Sequence, residues 1–160
     1  MINSVNPCQK YLTFGPWIYM VPQYDPASVL ILGYGGGTVA GLIQLLYGDV
    51  PITGVDIVRY DDPYGVGPVQ MDAREYLKTC GQFDTVVIDL FLDGKMCEFV
   101  CTQEFMESVK RIARYVIINT LGEPDMSVWK SLKCLGMNKP NRCSNLIYYY
   151  VVDETLNLLP

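Results

Sequence analysis

Five short stretches of the chain combine residue types and spacings that suit chemistry. Gly33-Tyr34-Gly35-Gly36-Gly37-Thr38 follows an apolar run and precedes a helical pattern. Glycines there let the backbone approach a ligand closely, and the N–H groups opening the helix favour negative or electron-rich atoms. Asp56, next to Ile57 in Gly54-Val55-Asp56-Ile57, lies about 20 residues further on, where an acid accepts hydrogen bonds from both hydroxyls of a ribose. These two features suit a nicotinamide dinucleotide and an adenosyl sulfonium equally. Asp72-Ala73 opens a later helix and separates them, because a carboxylate there can take the exocyclic amino group of an adenine, although Asp72 is also a good N-cap. Asp89 ends Thr85-Val86-Val87-Ile88-Asp89, where it can orient an amine and accept its proton. Asp93 follows in Leu90-Phe91-Leu92-Asp93-Gly94 and reads either as a second carboxylate for a cationic substrate or as a plain Asp-Gly turn.

The elements around these residues alternate between strand and helix. Val29–Leu32 is a continuous apolar run, as in a strand buried on both faces. Val39, Leu42, Ile43 and Leu46 recur at helical spacing until Gly48. Strands are expected at Ile52–Ile57, weakly at Val66–Met71, strongly at Phe83–Phe91, and again at Tyr115–Leu121 and Leu146–Val152. Helices are expected at Ala73–Cys80, with Asp72 and Glu75 as a capping pair, at Thr102–Arg114, and at Pro124–Leu135 with Gly136 as its stop. Such alternation implies an α/β chain whose mostly parallel sheet is covered on both faces. Ligands of such sheets bind at the carboxyl ends of the strands, where the glycine loop and the strand-end aspartates fall.

The 160 residues are half apolar and suit one domain, with a short extended segment at 1–28 and the α/β domain at 29–160. The net charge of −5 disfavours phosphate backbones, so no nucleic-acid partner is expected. The absence of histidine excludes histidine bases and histidine metal ligands. Six cysteines in so apolar a chain, without a charged-then-apolar leader, suggest reduced thiols in a cytoplasmic protein. Cys97 and Cys101 do not complete a metal site, so none is expected, and no apolar run approaches a membrane span. Tyr148-Tyr149-Tyr150 reads as strand packing. Tyr11–Val21 reads as two extended pieces around Gly15-Pro16. Its Phe14, Trp17, Ile18 and Met20 have little evident core to enter, which makes them a candidate contact in a homo-oligomer.

With these positions in hand, the chain resembles the spermidine synthase-like branch of class I S-adenosylmethionine-dependent transferases from about Val29 to Leu121. The similar segments are Val29 to Thr38, Gly54 to Ile57, Asp72-Ala73-Arg74-Glu75-Tyr76-Leu77, Phe83 to Asp89, Thr102-Gln103-Glu104-Phe105 and Val116-Ile117-Ile118-Asn119. The resemblance implies a Rossmann-like three-layer sandwich whose last strand is antiparallel. It implies that Gly33 to Gly37 wraps the amino-acid or aminopropyl part of S-adenosylmethionine or its decarboxylated form. Asp56 would hold the ribose, Asp72 and Ala73 the adenine, and Asp89 the amine of a small-molecule acceptor. The chain departs from that branch at Gly36, where the family carries an aspartate, and after Asp89, where the family has a small polar pair, another aspartate and a proline. The family also begins with a β-rich domain, against 28 residues before the first core strand here. Aminopropyl transfer is the leading expectation, with Asp89 accepting the proton and Asp93 assisting. Methyl transfer and a nucleoside-binding module without turnover are the alternatives.

Overall fold

A computed structural model describes residues 15–152. Cys8, Phe14 and the first part of the 11–21 aromatic segment lie outside the described residues.

The described residues form nine strands and three α-helices. They are β1 (Val29–Leu32), α1 (Thr38–Tyr47), β2 (Ile52–Asp56), β3 (Val69–Gln70), α2 (Ala73–Thr79), β4 (Phe83–Ile88), β5 (Phe91–Leu92), β6 (Lys95–Met96), α3 (Gln103–Ile112), β7 (Ala113–Leu121), β8 (Lys133–Asn138) and β9 (Asn145–Val151). Seven strands make one sheet in the order β3-β2-β1-β4-β7-β9-β8. β3, β2, β1, β4 and β7 run parallel, and β9 is antiparallel to both β7 and β8. The antiparallel strand is therefore the last in sequence but the second from the edge in space. β1 sits inside the sheet between β2 and β4, and all four of its residues are buried. The pleat sends Leu30 and Leu32 into the core on one face, and Val29 and Ile31 into the core on the other. α2, α3 and Trp129 cover the first face; α1, Met20 and Val21 cover the second. This is the Rossmann-like α/β sandwich with a mostly parallel sheet.

Local chemistry explains most of the boundaries. α1 starts at Gly37 and stops at Gly48, both with positive φ. Asp72 caps α2 by accepting from the Arg74 N–H at 2.8 Å. Glu75 does not complete the capping pair with a side-chain bond but turns to Lys78 at 2.7 Å. Thr102 caps α3 by accepting from the Phe105 N–H. The apolar stripe Phe105, Met106, Val109 and Ile112 is buried, while Ala113 already belongs to β7.

Three expectations need correction. The Pro124–Leu135 helix does not form. Ser127–Ser131 makes a 3-10 turn, and the chain then enters β8, with a bulge between Cys134 and Gly136. Gly136 is thus a bulge residue in an edge strand, not a helix stop. Trp129 explains the change. It is fully buried, donates to the Val100 carbonyl at 3.0 Å and stacks on Tyr150 at 5.8 Å. Those long-range contacts anchor one turn and leave the following residues to pair with β9. Next, Trp17–Met20 is a 3-10 helix rather than an extended piece. Met20 enters the chain's own core, and the Tyr149 hydroxyl donates to the Tyr19 carbonyl. Finally, the β4 strand stops at Ile88, and Phe91 belongs to the small β5–β6 hairpin.

Gly33 sets the tightest constraint. It has φ +85°, and a Cβ there would stand 2.1 Å from the Asp89 carbonyl oxygen. Gly33→Ala should cost more than about 3 kcal/mol, since a left-handed alanine alone costs roughly 1–3 kcal/mol and the backbone clash adds to it. Gly36 has open space around its Cα, so Gly36→Ala should stay within about 0.5 kcal/mol. Urea unfolding of the two variants measures the contrast.

Candidate functional site

A cleft of about 680 Å³ opens at the carboxyl ends of β1, β2, β4 and β7. Gly33, Gly35, Asp56, Ile57, Asp72, Ala73, Asp89 and Asp93 all line it. The topology explains the gathering. β2, β1, β4 and β7 are adjacent and parallel, so the residues that end them arrive side by side. Tyr34, Gly36 and Gly37 are in the same loop but do not line the cleft. The Tyr34 side chain turns under the loop, where its ring occupies the space that a Cβ on Gly54 or Gly37 would need. Its hydroxyl donates to Asp62 Oδ1 at 3.1 Å. The Val66 and Gly67 N–H groups also reach Asp62, and the Gly67 bond leads in holding that carboxyl below its usual range. Tyr34 thus braces the loop from below instead of facing a ligand.

Asp56 is held by backbone. The Gly35 N–H donates to its Oδ2 at 2.8 Å and the Val58 N–H to its Oδ1 at 2.9 Å. Each carboxylate oxygen keeps a further lone pair for a hydroxyl. Gly35, which binds Asp56, also has room above it. Gly35 has φ +56°, and no atom lies within 4 Å of where its Cβ would be. The loop is thus a shallow cradle closed on one side by a fixed carboxylate, a shape that accepts a ribose.

Asp72 does two jobs. Beyond capping α2, it binds the Arg74 guanidinium through both oxygens, at 3.1 and 2.8 Å. The Arg74 hydrogen bond holds its carboxyl below the usual range. Arg74 in turn lies 4.4 Å from the centre of the Phe99 ring, so Asp72, Arg74 and Phe99 form one wall of the cleft. Asp93 lies at the tip of the β5–β6 hairpin. Asp93 and Gly94 both have positive φ, 51° and 73°, as a two-residue hairpin turn requires. The turn accounts for this Asp-Gly pair, and its position puts the carboxylate on the cleft rim.

Asp89 follows the end of β4 and lines the cleft with Gly33 and Asp56. Its backbone N–H donates to the Leu32 carbonyl at 2.8 Å, which locks the end of β4 to the end of β1. Its carboxyl accepts from Asn119 Nδ2 at 2.8 Å, and Asn119 Oδ1 accepts from Asn145 Nδ2 at 2.9 Å. Burial pushes the Asp89 carboxyl up to about 6; the Asn119 hydrogen bond opposes this, and the Asp56 charge adds to it. Such a group can change its charge in the neutral range, as a proton acceptor must.

Sequence reasoning missed several residues here. Asn119 left a signal: it is a polar residue ending an apolar strand run, at the carboxyl edge. Asn145 left none, because it reaches the cleft only through the antiparallel direction of β9, which pairs it with Leu121. Pro16 and Trp17 also line the cleft. Their segment precedes the first core strand, and nothing local shows that it folds back over the site.

No family model and no curated protein matches the chain. Solved structures share its fold. Human methyltransferase-like protein 13 in complex with SAH aligns at TM-score 0.63 and 18% identity, over 91% of this chain and 79% of that one. TrmN from Thermus thermophilus aligns at TM-score 0.60 and 14% identity, over 85% of this chain and 47% of that one. A probable spermidine synthase from Corynebacterium glutamicum aligns at TM-score 0.57 and 19% identity, over 78% of this chain and 56% of that one. At such identities the likeness establishes the fold alone, a Rossmann-like α/β sandwich.

The Asp89 carboxyl has a measurable signature. Its pKa lies above the ordinary 3.8 in the folded state. The stabilisation from its bound proton is therefore complete below about pH 4 and lost as the pH rises through about 6. Asp89→Asn keeps a neutral side chain throughout. Relative to wild type, its unfolding free energy should rise by about 1–3 kcal/mol between pH 4 and 7.5, as measured by urea titration at both values.

Proposed function

We propose that the chain is a group transferase that binds an adenosyl sulfonium in this cleft and passes an aminopropyl group to an amine. The observation that carries the reading is the joint geometry of Gly35, Asp56 and Asp89: an open backbone cradle, a carboxylate pinned beside it, and a second carboxylate of raised pKa at the next strand end. Asp56 would hold the ribose, and the Asp72–Ala73 edge the adenine. Asp72 keeps acceptor capacity beside its Arg74 bonds, so capping α2 and meeting an amino group are compatible. The fold likeness to the human methyltransferase in complex with SAH and to the probable spermidine synthase supports the same ligand class.

The charge of the cleft favours the decarboxylated donor. Its charged lining side chains are Asp56, Asp72, Asp89, Asp93 and one cation, Arg74, which is already bound to Asp72. A donor ending in an ammonium meets attraction there, whereas one that also carries a carboxylate meets like charge. Methyl transfer from S-adenosylmethionine is the second reading, favoured by the methyltransferases among the solved structures of this fold.

The bound sulfonium supplies an activated carbon and a neutral thioether as leaving group. The protein must then place the nucleophile, exclude water and take up a proton. Asp89 is placed to do the last. Its carboxylate accepts a hydrogen bond from the amine and then its proton as the nitrogen–carbon bond forms and the carbon–sulfur bond breaks. Asp93, on the rim, adds negative charge that attracts a cationic amine. Activity should therefore rise with pH through about 6 as Asp89 ionises. Asp89→Asn should lower turnover by roughly 10²-fold or more.

Titration calorimetry with decarboxylated S-adenosylmethionine, S-adenosylmethionine and NAD tests the reading. We expect the decarboxylated ligand to bind most tightly and Asp56→Ala to weaken it at least about tenfold, the loss of one charge-assisted bond. Product analysis then separates methylthioadenosine from S-adenosylhomocysteine. Tightest binding of NAD would sink the assignment. A fluorescence experiment locates the ligand. Trp17 lines the cleft and Trp129 is fully buried in the core. Ligand should change tryptophan emission in wild type and much less in Trp17→Phe.

A further inference from the structure

Asn119 is nearly buried, 4% exposed, near the end of β7 between the buried residues Ile118 and Thr120. Its amide has a donor end and an acceptor end, and the two ends are used differently. The nitrogen faces Asp89 Oδ1 and the oxygen faces Asn145 Nδ2. An ionised carboxylate only accepts, so it requires the nitrogen of Asn119 on its side. Asn145 stands on the far side with its Nδ2 donating to that oxygen. The two bonds are made together in one orientation of the Asn119 amide.

We propose that Asn145 is a positioning residue that holds the Asn119 amide with its N–H toward Asp89 and thereby keeps the Asp89 carboxylate charged and turned to the cleft. The proposal deepens the transferase reading, on which its catalytic consequence rests. The other charged groups near Asp89 do not do this work. Asp56, at the end of β2, opposes its ionisation. Asp93 on the hairpin tip and the Asp72–Arg74 pair on α2 line the same cleft. Among the described residues, Asn119 is the one side chain shown donating to the carboxyl. Without the Asn145 donor, the Asn119 amide can turn over and offer its oxygen to a protonated Asp89 instead. That orientation favours the neutral acid, so ionisation of Asp89 moves to higher pH.

The test follows the Asp89 carboxyl by carbon-detected NMR in the ligand-free protein, with Asp89→Asn to assign the signal. In Asn145→Ala the midpoint should rise by about half to one pH unit, a roughly three- to tenfold change in the ionisation constant. The near-isosteric Asn145→Asp should raise it further, because a carboxylate at 145 pulls the Asn119 nitrogen to itself and adds a negative charge. It also serves should the alanine variant not fold. The acid limb of kcat/KM for transfer should move up by the same amount. A midpoint unchanged or lowered in the folded variants overturns the proposal, since a purely structural asparagine would change unfolding free energy and leave the titration in place. The titration needs no ligand. A wild-type protein that binds no adenosyl sulfonium therefore sinks the transferase reading alone, and an unmoved midpoint sinks the Asn145 proposal alone.

Discussion

The whole site hangs on the close approach of two backbones. At the end of β1, the hydrogen atom of Gly33 faces the Asp89 carbonyl where any side chain would collide. The Asp89 N–H reaches back to the Leu32 carbonyl, and the Gly33 and Tyr34 N–H groups both reach the Val55 carbonyl. These bonds tie the ends of β2, β1 and β4 into one rigid ledge. The glycine loop, Asp56 and Asp89 then share a single frame. Because they stand on strands and not on long loops, their spacing is set by the parallel register, Leu32 against Val55 and Ile88.

Electrostatics gives the ledge its character. Four aspartates line one cleft, and each is managed differently. Backbone N–H groups hold Asp56, an arginine and a helix terminus hold Asp72, a hairpin turn displays Asp93, and two asparagines back Asp89. Two neighbouring carboxylates on strand ends resist joint ionisation. Burial pushes the Asp89 carboxyl up, and the Asp56 charge adds to that push while the Asn119 amide opposes it.

The parts of this architecture that are local were legible from residues alone. β1, α1, β2, α2, β4 and α3 carry their own signals: apolar runs, helical periodicity, Gly37 and Gly48, and the caps Asp72 and Thr102. The failures fall where distant partners decide. Val128, Trp129 and Leu132 have helical spacing, yet Trp129 spends its side chain on Val100, Phe105 and Tyr150. β8 then takes a place beside β9 that the helix pattern disguised. Within the described part of the segment before Val29, Met20 enters the second core and Trp17 lines the cleft, placements set by distant partners.

The sequence by itself determined that Gly33, Asp56 and Asp89 stand at strand ends, because a strand signal leads into each of them. That is a one-dimensional property, and the alternation of elements converts it into a common edge. Only the tertiary structure decided which side chains face the cleft and which brace it. Tyr34 turned under its loop because Gly54 leaves it room. Asn145 came to the site because β9 runs antiparallel and starts where the parallel strands finish. Neither outcome is encoded near the residue concerned, since each depends on a partner that lies 20 or more positions away along the chain.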